Sequence, residues 1–121
     1  MSPAEHRGSV LIVEDDEDIR AAMAELLEGE GFEVSVASNG QEGLEVLEQL
    51  GHPCLVLLDL MMPVMSGEDF LRNMRENPSF GRIPVIIVTA SGRQPLPGAQ
   101  GILKKPFEIG DLFATVAAHC V

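Results

Sequence analysis

Four points in the sequence put reactive side chains directly behind apolar runs. Glu14, Asp15 and Asp16 follow SVLIV (9–13), and Asp59 follows CLVLL (54–58). Thr89 lies at the end of IPVIIVTA (83–90), and Lys104 and Lys105 precede Pro106 in GILKKPF (101–107). An ionised aspartate almost never sits unpaired at the edge of a core segment, so Asp59 calls for an explanation. Three or more carboxylates brought together repel one another unless a cation lies among them. An oxygen-only set of this kind suits Mg²⁺, which keeps several of its waters and often binds beside a phosphate. A threonine hydroxyl can donate a hydrogen bond to such an anion, and a lysine can neutralise it. Taken singly, each group has a plainer account. Acidic residues favour the start of a helix through its dipole, and Asp59 could cap a helix or lie on a solvated loop. A threonine ending a strand is common, and a lysine before proline can simply be solvated. The conjunction points to chemistry.

That conjunction holds only if the four apolar runs are neighbouring strands. SVLIV is short and apolar enough for a buried strand, and Ile19, Ala22, Met23, Leu26 and Leu27 then repeat at helical spacing up to Gly29 and Gly31. FEVSVA (32–37) alternates like a strand with one covered face. A second helix follows with Leu44, Leu47 and Leu50 inward, ended by Gly51 and Pro53. CLVLL is uniformly apolar and therefore expected at the centre of the sheet. Ser66 is a good N-cap, with Asp69 in capping-box position, for a helix carrying Phe70, Leu71 and Met74. Asn77 and Pro78 close it. IPVIIVTA and GILKKPF supply two more strands, and a last helix buries Leu112, Phe113, Val116 and Cys120. Strands alternating with helices predict an α/β fold with a five-stranded parallel sheet and helices on both faces. Ligands bind such sheets at the carboxyl ends of the strands. All four reactive points lie there.

Bulk properties narrow the class. The chain has 121 residues, enough for one domain, expected over 9–121 behind a flexible lead at 1–8. It carries 19 acidic against 8 basic residues, a formal net charge of -11, which argues against direct binding of nucleic acid or an anionic membrane. Aromatic residues are 4%, without Trp or Tyr, so platforms for stacking bases are missing. Cys54 and Cys120 form no motif and read as free thiols in a reducing compartment. His6, His52 and His119 show no ligand spacing. No secretory signal or membrane-length apolar run is visible, which predicts a soluble, cytoplasmic protein.

In order along the chain, LIVEDDEDIR, LVLLDLMMPVMSG, VIIVTA and KKPF resemble the receiver domains of bacterial two-component response regulators, the CheY-like family. The resemblance implies a flavodoxin-like strand order, 2-1-3-4-5. It also implies that Asp59 accepts a phosphoryl group from the phosphohistidine of a sensor histidine kinase or phosphotransfer protein. By the same resemblance, Asp15 and Asp59 would bind Mg²⁺ directly with the Met61 carbonyl, and Glu14 would act through a metal-bound water. Glu14 and Asp15 are taken as the family's acidic pair because Arg20 then falls where such domains often carry a basic residue. Asp16 is left to start the helix. Thr89 and Lys105 would contact phosphoryl oxygens. Lys105 is preferred to Lys104 because the family's lysine directly precedes the proline, usually through a cis bond. The implied role is a signalling switch that assists its own phosphorylation and dephosphorylation and acts on a downstream protein. It would be stand-alone or cut from a longer chain, and a monomer or weak dimer.

One departure stands out. The family usually has a full helix between the fourth and fifth strands, whereas only SGRQPLPGAQ (91–100) is available here. A helix of about eight residues with two connections of roughly 2–6 each would not fit. Pro95 and Pro97 also oppose a helix interior. A loop or single turn is expected instead, with the dimer face usually built on that helix altered, and Ile102 in place of the family's aromatic switch residue. Two other chemistries share the α/β frame. A haloacid-dehalogenase-like hydrolase would need its Asp-x-Asp at the strand end, while the DED here begins at Asp16. A flavodoxin-like FMN carrier would need a phosphate-cradling first loop, while this loop is acidic. A pseudo-receiver that only binds a partner would not need all key positions filled.

Overall fold

The computed structural model describes residues 8–50, 52–60, 62, 64–90 and 98–120. Among the described residues, five strands and four helices follow in the order β1 (Ser9–Val13), α1 (Glu17–Gly29), β2 (Glu33–Ala37), α2 (Gly40–Leu50), β3 (Leu55–Asp59), α3 (Gly67–Glu76), β4 (Val85–Thr89), β5 (Gly101–Lys104) and α4 (Ile109–His119). The sheet is parallel throughout, in the order β2-β1-β3-β4-β5. The expected fold class is therefore observed. β3 is central and all five of its residues are buried, as its uninterrupted apolar run requires of a strand covered on both faces.

Period-two alternation divides the core into two layers. Val10, Ile12, Leu55, Leu57, Ile86, Val88 and Leu103 face α1 and α4, packing on Met23, Leu27, Leu112 and Val116. Leu11, Val13, Val56, Leu58, Val85 and Ile87 face α2 and α3, packing on Leu47, Phe70, Leu71 and Met74. The helix periodicity holds with one exception, Ala22, which is exposed on α1. Ile19, Leu26, Leu44, Leu50 and Phe113 are partly buried and pack against the two layers. The strands are shorter than the apolar runs suggest: β4 begins only after Ile83 and Pro84, and β5 stops at Lys104.

The helix starts follow the local chemistry. The Asp16 carboxylate caps α1 by accepting from the Ile19 N–H at 3.0 Å, and Ser66 Oγ caps α3 by accepting from the Asp69 N–H at 3.2 Å. The Asp69 carboxylate pairs with Arg72.

One expectation at the other end of the sheet changes. Cys54 and Cys120 are not free thiols but form a disulfide. They are 66 positions apart, yet α4 runs back across the sheet and brings its end beside the start of β3, with the two Cα atoms 5.3 Å apart. At the edge of the expected lead, the Gly8 carbonyl accepts from the Glu33 N–H at 2.9 Å. The rest of that lead, residues 1–7, lies outside the described residues.

Between β4 and β5, residues 91–97 of the predicted loop also lie outside the described residues, and residues 98–100 are non-helical. Here Arg75 of α3 does what no sequence pattern announced. Its guanidinium donates to the carbonyls of Gly81 and Ile83, each at 3.0 Å, and through Nε to that of Gly98 at 2.9 Å. One side chain thus ties the approach to β4 and the approach to β5 onto α3. Partial burial of the guanidinium lowers its pKa from the usual arginine value. Among the described residues, no helix is long and apolar enough to cross a membrane.

Candidate functional site

The sheet register decides which residues meet at the carboxyl ends. Val13 pairs with Leu58, so Glu14 and Asp59 lie side by side one step beyond; Asp59 pairs with Val88, and Thr89 with Lys104. Alternation turns Glu14 and Asp59 to one face of the sheet, that of Ile12 and Leu57. Carried one residue past β5, it sends Lys105 to the side of Leu103 and Lys104 to the opposite side. The Lys105 N–H donates to the Thr89 carbonyl at 2.8 Å, which keeps that last step in register.

Glu14, Asp15, Asp59, Thr89 and Lys105 line one open cleft of about 580 Å³. Carboxylate oxygens of Glu14, Asp15 and Asp59 all lie within 4.8 Å of one another. Glu14 is 2% exposed, Asp59 6% and Thr89 1%, while Asp15 faces solvent. The Lys105 ammonium donates to Glu14 Oε1 at 2.6 Å, and the backbone N–H of Asp16 approaches Glu14 Oε2 at 3.3 Å. The acidic loop is held from outside by Arg20, whose Nη1 donates to the Glu14 carbonyl at 2.8 Å. This is the residue whose position fixed the choice of Glu14 and Asp15 as the acidic pair. Lys104 is exposed, whereas Lys105 is half-buried over the acidic cluster. The Lys105–Pro106 peptide bond is cis, as expected.

Five of the six candidate residues therefore come together. The sixth, Met61, lies outside the described residues. Sequence reading did not single out Glu68, which lines the same cleft from the first turn of α3. Nor did it single out Gly67, where an added Cβ would come 2.5 Å from the Asp59 carbonyl oxygen and 2.7 Å from Leu60 Cα. Only a residue without a side chain lets α3 start this close to the end of β3. Its signal was the glycine that follows the Ser66 cap. In the same loop Val64 has a φ of 69° and is 83% exposed, an unusual backbone for a β-branched residue.

A crowded oxygen set beside a buried hydroxyl and an ammonium can hold a hard divalent cation and an anionic group together. The model of the response regulator receiver domain family matches residues 10–117. The chain belongs to this family.

This receiver domain is 41% identical over 120 residues to YkoG of Bacillus subtilis (strain 168), described as an uncharacterized transcriptional regulatory protein. The match covers 93% of the chain and 50% of that protein. It is 36% identical over 115 residues to the phosphate regulon transcriptional regulatory protein PhoB of Rhizobium meliloti (strain 1021), covering 90% of the chain and 50% of that protein. The chain thus spans about half the length of these relatives. Among solved structures, the chemotaxis protein CheY4 of Vibrio cholerae superposes with a TM-score of 0.81 at 29% identity, covering 92% of this chain and 97% of that one. Receiver domains of response regulators are phosphoacceptor signalling modules, and this chain is one of them.

Proposed function

We propose that Asp59 is the phosphoacceptor and that the domain takes its phosphoryl group from a phosphohistidine on a sensor histidine kinase or phosphotransfer protein. The observation carrying this reading is the placement of Asp59. It is buried at the end of the central strand, with Glu14 and Asp15 within 4.8 Å and Thr89 and Lys105 lining the same cleft. A carboxylate is a weak nucleophile, but phosphoryl transfer needs mainly alignment and charge neutralisation. An Asp59 oxygen attacks phosphorus, the bond from phosphorus to the imidazole nitrogen breaks, and an aspartyl phosphate remains. β3, buried on both faces, holds that oxygen still. The Thr89 hydroxyl donates to a phosphoryl oxygen, and the Lys105 ammonium, now on Glu14, is within reach of another. Asp15 and Asp59, with the Met61 carbonyl, would hold Mg²⁺ directly, and Glu14 would do so through water. The bound ion supplies positive charge against the phosphoryl oxygens.

The hydrolase alternative loses its motif. Asp16 is occupied in capping α1, and Asp18 is exposed on the first turn of that helix. We place the domain in the cytoplasm, acting on a downstream protein and assisting its own phosphorylation and dephosphorylation. Acyl-phosphate trapping tests the acceptor. After incubation with Mg²⁺ and acetyl phosphate, borohydride reduction should convert Asp59, and no other acidic residue, to homoserine. Conversion at Glu14 or Asp15 instead would move the acceptor.

A further inference from the structure

We propose that Cys54 and Cys120 form a reversible dithiol–disulfide pair that ties and releases the carboxyl end of α4. The inference rests on the cytoplasmic placement above, since disulfides in reducing compartments are usually transient and redox-responsive.

Three features of the site support it. First, the two sulfurs are unequal in access. Cys120 is 6% exposed, whereas Cys54 is half-buried and lines a cleft of about 370 Å³ shared with His52, Arg82 and His119. Of the two, Cys54 is the residue more open to an incoming thiolate. Second, the pocket accepts both redox states. Cys54 Sγ lies 3.1 Å from the Ser9 carbonyl oxygen, so the thiol produced by reduction has an acceptor waiting. Third, the backbone closes over the pair at Gly8, where φ is +113° and an added Cβ would lie 3.1 Å from Cys54 Sγ. A larger residue at position 8 would crowd the sulfur in a backbone conformation that side chains rarely adopt.

The chemistry balances with a dithiol reductant as the second reactant. Its thiolate attacks Cys54 Sγ, the bond to Cys120 Sγ breaks, and Cys120 leaves as a thiolate that takes a proton from water. The reductant's second thiol then attacks its own sulfur in the mixed disulfide and displaces Cys54. Two electrons and two protons pass to the pair, and the reductant becomes a disulfide. The last turn of α4 is then held by apolar packing and its backbone bonds, including that from the Cys120 N–H to the Val116 carbonyl at 2.9 Å. Because the bond joins residues 66 apart, opening it should lower the melting temperature by roughly 5–15 °C.

The experiment equilibrates the wild-type chain, without denaturant, in buffers of graded reduced and oxidised dithiothreitol. Acid quench, thiol alkylation and peptide mass spectrometry then follow each cysteine. Cys54 and Cys120 should lose alkylation together, within one molecule, and regain it together on reduction. In Cys120→Ser, oxidised glutathione should cap Cys54, while in Cys54→Ser it should react with Cys120 at least about tenfold more slowly, as burial dictates. A disulfide that survives millimolar dithiothreitol until denaturant is added would overturn the proposal, as would thiols that never pair under oxidising conditions. Homoserine formation at Asp59, measured on the same samples, reports the phosphoacceptor reading separately. Either can fail alone.

Discussion

The Lys105 ammonium lies 2.6 Å from Glu14 Oε1, joining β1 to the end of β5 across 91 positions of sequence. The glutamate is 2% exposed and the lysine side chain 19%, so this is a largely buried ion pair. Removing one partner strands the other charge away from water. Lys105→Ala should therefore cost about 3 kcal/mol in metal-free buffer, near the low end for a buried pair broken on one side. Millimolar Mg²⁺ should restore part of that, because a bound ion then supplies the positive charge that the variant lacks beside Glu14. Urea denaturation with and without Mg²⁺ checks both; equal midpoints for variant and wild type would show the pair to be inconsequential.

Gly67 and Gly29 make opposite predictions from the same substitution. Gly67→Ala forces a methyl group against the Asp59 carbonyl and should destabilise by about 1–3 kcal/mol, displacing the residue proposed to react. Gly29, the last residue of α1, has nothing within 4 Å of an added Cβ. Gly29→Ala should leave the site intact and stabilise by about 0.4–1 kcal/mol. Denaturation midpoints and phosphorylation rates of the two variants, compared side by side, decide this.

Val64 holds a left-handed backbone that branched side chains disfavour, at a cost of roughly 1–2 kcal/mol. Its side chain is 83% exposed, so little packing is lost on replacement. Val64→Asn should raise stability by about 1 kcal/mol, since asparagine tolerates this region. A destabilised Asn variant would mean that the valine side chain is needed in the loop.

Metal dependence follows from crowding. Carboxylate oxygens of Glu14, Asp15 and Asp59 lie within 4.8 Å of one another, so a cation that binds them stabilises the folded state. Added Mg²⁺ should raise the melting temperature of the wild type, and Asp15→Asn should remove most of that rise. A variant responding as fully as the wild type would exclude Asp15 from the metal site.

The architecture was readable because β1, β3 and β4 are nearly continuous apolar runs, β2 alternates as a strand with one covered face does, and glycine or proline stops each of the first three helices. The candidate site was readable because its residues end those runs, where parallel topology must bring them together. What stayed hidden depends on geometry that no local pattern encodes. Cys54 and Cys120 carry no motif, and only the return path of α4 makes them neighbours. Arg75 looks like any arginine on an exposed helix face, yet it binds carbonyls from residues 81, 83 and 98. Glu68 reads as a first-turn acidic residue that favours the helix dipole, and its place at the cleft appears only once α3 is set against β3. Residues 91–97, where the sequence breaks most clearly with its family, lie outside the described residues.

The central claim is that Asp59 carries the phosphoryl group. Wild type and Asp59→Asn, each incubated with Mg²⁺ and acetyl phosphate, can be compared by intact-protein mass spectrometry. The wild type should gain the mass of one phosphoryl group, labile to hydroxylamine, and the variant should gain none. Undiminished labelling of the variant would contradict the account.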